Sequence, residues 1–128
     1  EYTRSVNKVV FKALNKNLPG PFTFILPASQ EIPKLFGNNK KTVGIRIPDN
    51  EITRIISQEL GNPLVVTSVH DEDEILEYTT DPNEIFQRFE DKLDFVLDGG
   101  YGKNIASTVV NCEEGELEIL RDGKEELL

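Results

Sequence analysis

Thr42-Val-Gly-Ile-Arg-Ile-Pro-Asp-Asn50 sets one fixed positive charge inside an otherwise apolar stretch. With a period of two, Val43, Ile45 and Ile47 share one face of a strand, while Thr42, Gly44 and Arg46 share the other. The first set reads as core. The second pairs a guanidinium with a residue that has no side chain, which leaves room for something to approach the sheet beside Arg46. A buried guanidinium needs either a carboxylate partner or an anionic ligand, and this stretch admits both.

Helical and strand patterns alternate on either side of it. Val6, Val9, Val10, Ala13 and Leu14 follow helical spacing, with Ser5 as the expected cap, and Pro19-Gly-Pro21 stops the helix near Leu18. Phe22-Thr-Phe-Ile-Leu26 alternates as a strand. Ile32, Leu35 and Phe36 predict a short helical turn closed by Gly37. The opening stretch, 42–48, is the next strand. Asp49 or Asn50 caps a helix with Ile52, Ile55, Ile56 and Leu60 inward. Leu64–Val69 reads as a buried strand, and 70–74 as a charged loop. Asp81-Pro-Asn-Glu84 opens a further helix with Ile85, Phe86 and Phe89 as its buried stripe. Asp94–Leu97 is a strand, and 107–111 with 116–120 form an antiparallel pair joined near Glu114-Gly115. Lys124–Leu128 begins a helix or frays. The fold class is α/β with a twisted, open, mixed sheet and helices.

The 128 residues are expected to form a single domain, residues 1–128. Apolar residues at 38% and charged residues at 29% suit an ordinary globular core. No apolar run approaches the ~20 residues of a membrane helix. The single cysteine, Cys112, excludes an internal disulfide and fits a reducing, cytoplasmic setting. The chain has no methionine and opens at Glu1 inside a structural pattern, so it reads as the carboxyl-terminal part of a longer domain. Its net charge of −9 is uneven. Residues 1–46 carry +6 and the remainder −15. Arg4, Lys8, Lys12 and Lys16 recur at four-residue spacing, a pattern of like charges that weakens a helix. With Lys40 and Lys41 they form either a solvated face or a phosphate-contacting one.

Single chemical signals are weak. His70 lacks the companions of a triad, Cys112 reads as packing, and Asp71–Glu74 lacks a metal-loop pattern. Gly99, Gly100 and Gly102 lack the ending of a phosphate loop. Together, Thr23, Arg46, Thr67, Ser68 and Ser107 lie on or at the ends of expected strands. A guanidinium ringed by hydroxyls suits a ligand carrying a phosphate and a carboxylate.

Pro19-Gly-Pro-Phe-Thr-Phe-Ile-Leu26, Gly44-Ile-Arg-Ile-Pro-Asp49, Pro63-Leu-Val-Val-Thr-Ser68, Leu97-Asp-Gly-Gly100 and Ser107-Thr-Val-Val110 occur in that order. In these the chain resembles the YrdC/YciO family of threonylcarbamoyl-adenylate synthases, its YciO branch most of all. The resemblance implies a YrdC/RibB-like sheet, truncated at its amino-terminal end, with a concave, positively charged face. It implies ATP (with Mg²⁺), L-threonine and bicarbonate as reactants and tRNA threonylcarbamoyladenosine modification as the process. By position it implies nucleotide contacts from Thr23, His70 and Arg121, and substrate contacts from Arg46, Ser68 and Ser107. The alternative is a tRNA- or double-stranded-RNA-binding module using Arg4, Lys8, Lys12, Lys16, Lys40 and Lys41. The family's Lys-x-Arg lobe is absent from these residues, and Ser68-Val-His70 replaces its Ser-Ala-Asn element. The residues present are therefore expected to bind rather than to turn over substrate, and open sheet edges are expected to favour self-association.

Overall fold

A computed structural model describes residues 1–37, 39–71 and 78–128. The described elements are α1 (Lys8–Asn17), β1 (Phe22–Pro27), α2 (Glu31–Phe36), β2 (Thr42–Ile45), α3 (Glu51–Leu60), α4 (Pro82–Phe89), β3 (Thr108–Asn111) and β4 (Glu118–Arg121). They divide between two compact units, Glu1–Arg54 with Ala106–Leu128, and Ile55–Ile105.

The first unit is a four-stranded mixed sheet in the order β2-β1-β3-β4. β2 is antiparallel to β1, β1 parallel to β3, and β3 antiparallel to β4. Strict alternation in β1 separates two faces. Phe22, Phe24 and Leu26 are buried, and with Val110 and Cys112 they form one core with Val10 and Ala13 of α1. Burying side chains of this size stabilises the unit by about 1.5–3 kcal/mol each before entropy is counted. The other face of β1 shows Thr23 and Ile25, half-buried.

Several local expectations are corrected. Asn7, not Ser5, caps α1: its carbonyl oxygen accepts from Val10 N at 3.0 Å, while its amide donates to Gly115 O at 2.7 Å. One side chain therefore closes the helix and holds the β3–β4 turn, a double role that Ser5 lacks. Arg4 lies ahead of the helix, in an extended segment where Arg4 N donates to Pro27 O, so it is not the first step of a helical stripe. β2 stops at Ile45 rather than 48 because Ile47 gives its carbonyl to Gly20 N at 2.9 Å instead of to β1. Ile45 packs against the core, but Ile47 is exposed. Gly20 is required there, since a Cβ would lie 2.5 Å from Asn17 O.

The carboxyl-terminal residues form neither a helix nor a frayed end. Leu127 packs against the core, and Leu128 N donates to Asn17 Oδ1 at 2.9 Å. Asn17 is itself buried and also donates to Ala13 O.

The second unit holds most of α3 and all of α4. Asp81 caps α4 as expected, accepting from Asn83 N, with Pro82 opening the helix. The strands expected at 64–69 and 94–97 are not formed, and Val65, Val66 and Phe95 are about three-quarters exposed. Ile52, Ile55 and Leu60 of α3 and Phe86 of α4, expected inward, are exposed as well. A strand needs a neighbour to take its backbone hydrogen bonds. Among the described residues these runs have none.

Candidate functional site

The outer face of the sheet gathers three of the expected residues into one hydrogen-bonded group. Thr23 sits on β1 and Ser107 immediately precedes β3, and their hydroxyl oxygens lie 2.8 Å apart. Arg121, the last residue of β4, reaches the same serine. Its Nε and Nη2 donate to Ser107 O at 3.1 and 3.0 Å, and Nη2 also approaches Ser107 Oγ at 3.3 Å. Ser107 is buried and Thr23 half-buried, whereas Arg121 is exposed. The group spans three neighbouring strands and 84 residues of sequence between its two hydroxyls.

Two features of the sheet make this convergence possible. Pro21 O accepts the backbone N–H of Thr108, which sets the parallel register and brings Ser107 beside Thr23. The irregularity between Val109 and Val110 then shifts β4, so that Arg121 pairs with Val109 and shares the face of Thr23. A regular ladder through Ile119 would have turned Arg121 to the other side.

Gly44 pairs with Ile25 on this face, and a Cβ built on it would meet Thr23 Cγ2 only at 3.5 Å. The gap is open, as the sequence suggested. Continuing the β1–β2 register one step past Phe24–Ile45 sets Arg46 opposite Thr23. Arg46 is exposed and makes no hydrogen bond or ion pair among the described residues. The expectation of a buried charge is corrected on this point: Arg46 lies one residue beyond the strand, in reach of solvent. Of the two expected fates, the ion pair to a neighbouring acid is not the one taken.

Ser68 and His70 belong to the second unit. Ser68 is exposed in irregular backbone, as is Thr67. His70 forms a bridge with Tyr78, and their rings lie 5.1 Å apart. The structure therefore groups Thr23, Ser107 and Arg121, places Arg46 beside them by register, and leaves Ser68 and His70 in a separate body. Lys8, Lys12, Lys16, Lys40 and Lys41 are exposed, as is Arg4.

One network was not foreseen. Arg88 Nη1 donates to His70 O at 2.8 Å and to Thr79 Oγ1 at 2.9 Å, and Thr79 Oγ1 donates to Asp71 Oδ2 at 2.8 Å. Asp71, Thr79 and Arg88 of this network line, with Glu84, an open cavity of about 280 Å³. The arginine there is already engaged by backbone and hydroxyl, so the group ties α4 to the 70–71 segment. The expected charged loop is described only at its start, since Glu72–Glu74 fall outside the described residues. Cys112 is buried, and removal from water pushes its thiol pKa upward, consistent with packing.

The fold is thus an open mixed α/β sheet with two hydroxyls and a guanidinium, a group whose planar fork suits phosphate or carboxylate, clustered on one face. The sequence model of the Sua5/YciO/YrdC family, described as "Telomere recombination", matches residues 1–123. The chain belongs to this family. It is 39% identical over 121 residues to an "Uncharacterized protein" of Haemophilus influenzae, covering 92% of this chain and 58% of that one. It is 34% identical over 120 residues to the protein YciO of Escherichia coli K12, covering 92% and 57%. A Methanocaldococcus jannaschii protein named "Putative threonylcarbamoyl-AMP synthase" is 35% identical over 119 residues, with 92% and 54% covered.

The crystal structure of E. coli YciO superposes with a TM-score of 0.85 at 32% identity, covering 98% of this chain and 60% of that one. P. abyssi Sua5 complexed with L-threonine superposes at 0.80 and 23% identity, covering 95% and 36%, a likeness of fold alone. The chain thus spans rather more than half the length of the curated relatives it matches.

Proposed function

We propose that the Thr23–Ser107–Arg121 group, with Arg46 beside it, binds ATP and L-threonine as part of a threonylcarbamoyl-adenylate synthase-like protein of tRNA modification. The observation that carries this reading is the convergence itself. Two hydroxyls and a guanidinium from three strands meet on one face, next to an unfilled glycine position. Arginine offers a planar fork to a phosphate or carboxylate, and hydroxyls donate without adding charge. Family membership and the name of the M. jannaschii relative support the substrate class.

The chemistry requires no covalent nucleophile from these residues. The threonine amine attacks the bicarbonate carbon, a C–O bond breaks with loss of water, and an oxygen of the resulting carbamate attacks the α-phosphorus while pyrophosphate leaves. The protein's part is to hold the reactants in line and to offset the charge developing on phosphate oxygens. Mg²⁺ enters as part of the nucleotide substrate. Of the paired hydroxyls of Thr23 and Ser107, one donates to the other and the second donates to a phosphate or carboxylate oxygen, while Arg121 fixes Ser107 through its carbonyl and meets the nucleotide with its exposed edge.

Titration calorimetry with ATP and threonine tests this. Binding to this chain, weakened roughly 10–100-fold by Arg121→Ala in line with the loss of a charged hydrogen bond, is the expected result. No heat under conditions where a synthase binds both ligands would remove the reading.

A second reading rests on a different observation. Lys8, Lys12 and Lys16 line an exposed face of α1 with no ion pair among the described residues. Arg4, Lys40 and Lys41 add exposed charge in the same unit. Such a surface suits the phosphates of duplex RNA or tRNA. It predicts affinity that drops steeply from low to physiological salt and collapses when the three helix lysines become Glu. A flat salt response would eliminate it.

A further inference from the structure

We infer that Thr108, which faces away from the proposed ligand site, is a positioning residue for it, acting through a strap formed by residues 122–125. The inference rests on the reading of Ser107 and Arg121 as ligand-holding groups. Thr108 is 1% exposed and lies on the core side of β3, so it touches no ligand itself. Its hydroxyl nevertheless makes two hydrogen bonds to the segment that follows Arg121. Thr108 Oγ1 donates to Glu125 O at 2.6 Å and accepts from Gly123 N at 3.1 Å. Lys124 N adds a third tie, to Ala106 O at 3.0 Å. These bonds grip residues 106–108 and 123–125 together, on either side of the Ser107–Arg121 contact.

The closeness of that grip is visible at Gly123. A Cβ there would collide with the Thr108 nitrogen and the Ser107 carbonyl carbon, so the strap lies directly on the backbone of the serine. Ser107 O is the acceptor for two guanidinium N–H groups of Arg121. Its direction depends on the peptide plane that Thr108 shares. Arg121 sits two residues before Gly123, so the strap fixes both ends of the contact. Farther along, Asn17 holds Leu128 by its N–H and its carbonyl, which anchors the chain beyond the strap to α1. A valine in place of Thr108 fills the same volume and removes both bonds. Serine keeps the hydroxyl and loses only a methyl group.

The readout is solvent exchange of the Arg121 Nε–H, followed by NMR at mildly acid pH in the full chain, with ATP affinity measured alongside. Thr108→Val is expected to speed that exchange about tenfold, as the loss of a buried hydrogen bond would. Thr108→Ser is expected to restore slow exchange, even where its melting temperature stays below that of the unsubstituted protein. Unchanged Nε–H exchange in Thr108→Val would overturn the inference. Should Thr108→Val fail to fold, the unsubstituted protein still decides. Its Gly123 N–H and Arg121 Nε–H should open together, and independent opening would overturn the inference as well. Faster Nε–H exchange in a protein that binds no ATP retains the role of Thr108 and removes the nucleotide reading instead.

Discussion

Gly44 and Arg46 share one face in the sequence pattern, and the structure separates what they do. Gly44 has open space on its outer face, with Thr23 Cγ2 at ordinary contact distance from an added Cβ. Gly44→Val should therefore fold as well as the parent or slightly better, because a β-branched residue suits a strand. It should nonetheless lose ligand binding by obstruction. A melting temperature that rises while calorimetric heat disappears is the expected pair of results. At Cys112 the prediction concerns pH. Burial raises the thiol's pKa above its ordinary value of 9.0, so the folded state keeps its proton longer than the unfolded chain. Stability is then fully present below the unfolded value and is lost as pH rises through it towards the raised folded value. Urea titrations at pH 8 and pH 10 should show a loss that Cys112→Ala largely abolishes.

Among the elements, the sheet that carries the site was legible because its strands pair within the chain. Phe22–Leu26 alternates, and its neighbours β2 and β3 are present to complete it. The runs at 64–69 and 94–97 have the same apolar character, yet Val65, Val66 and Phe95 stand exposed. Hydrophobic pattern reports that a side chain favours burial and says nothing of what will cover it. The site's long-range half was hidden for a related reason. Nothing local in Ser107 or Arg121 shows that an irregular ladder will bring the second onto the first. Ser5 and Asn7 have similar capping ability, and the helix takes the one that also reaches Gly115. Asn7→Ala should cost about 1–2 kcal/mol, at the upper end for a lost cap because a second bond goes with it. Chemical denaturation of the variant would measure this, and a loss no larger than that of Ser5→Ala would contradict it.

At the scale of the whole molecule, the sheet ends in two outer strands, β2 and β4. All four residues of β4 are exposed. The second unit contributes no buried apolar side chain among its described residues. Strand edges unpaired among the described residues, with exposed Ile55, Val65, Val66 and Phe95, favour contact between copies. Light scattering should show a mass that climbs with concentration, and a constant monomer mass at high concentration would contradict this. No helix among the described residues is long and apolar enough to cross a membrane.

The parallel pairing of β1 with β3 carries a consequence for how the protein comes into being. Its two partners enter the world far apart in time, since a ribosome delivers Thr23 long before Ser107 emerges. Until then Phe22 and Phe24 have no strand on that flank, and the growing polypeptide carries Thr23 without its hydrogen-bond partner Ser107. That flank of β1 is therefore closed only once Thr108–Asn111 has emerged, and a chain arrested in the middle of its second unit would hold every residue of β1 without its parallel partner.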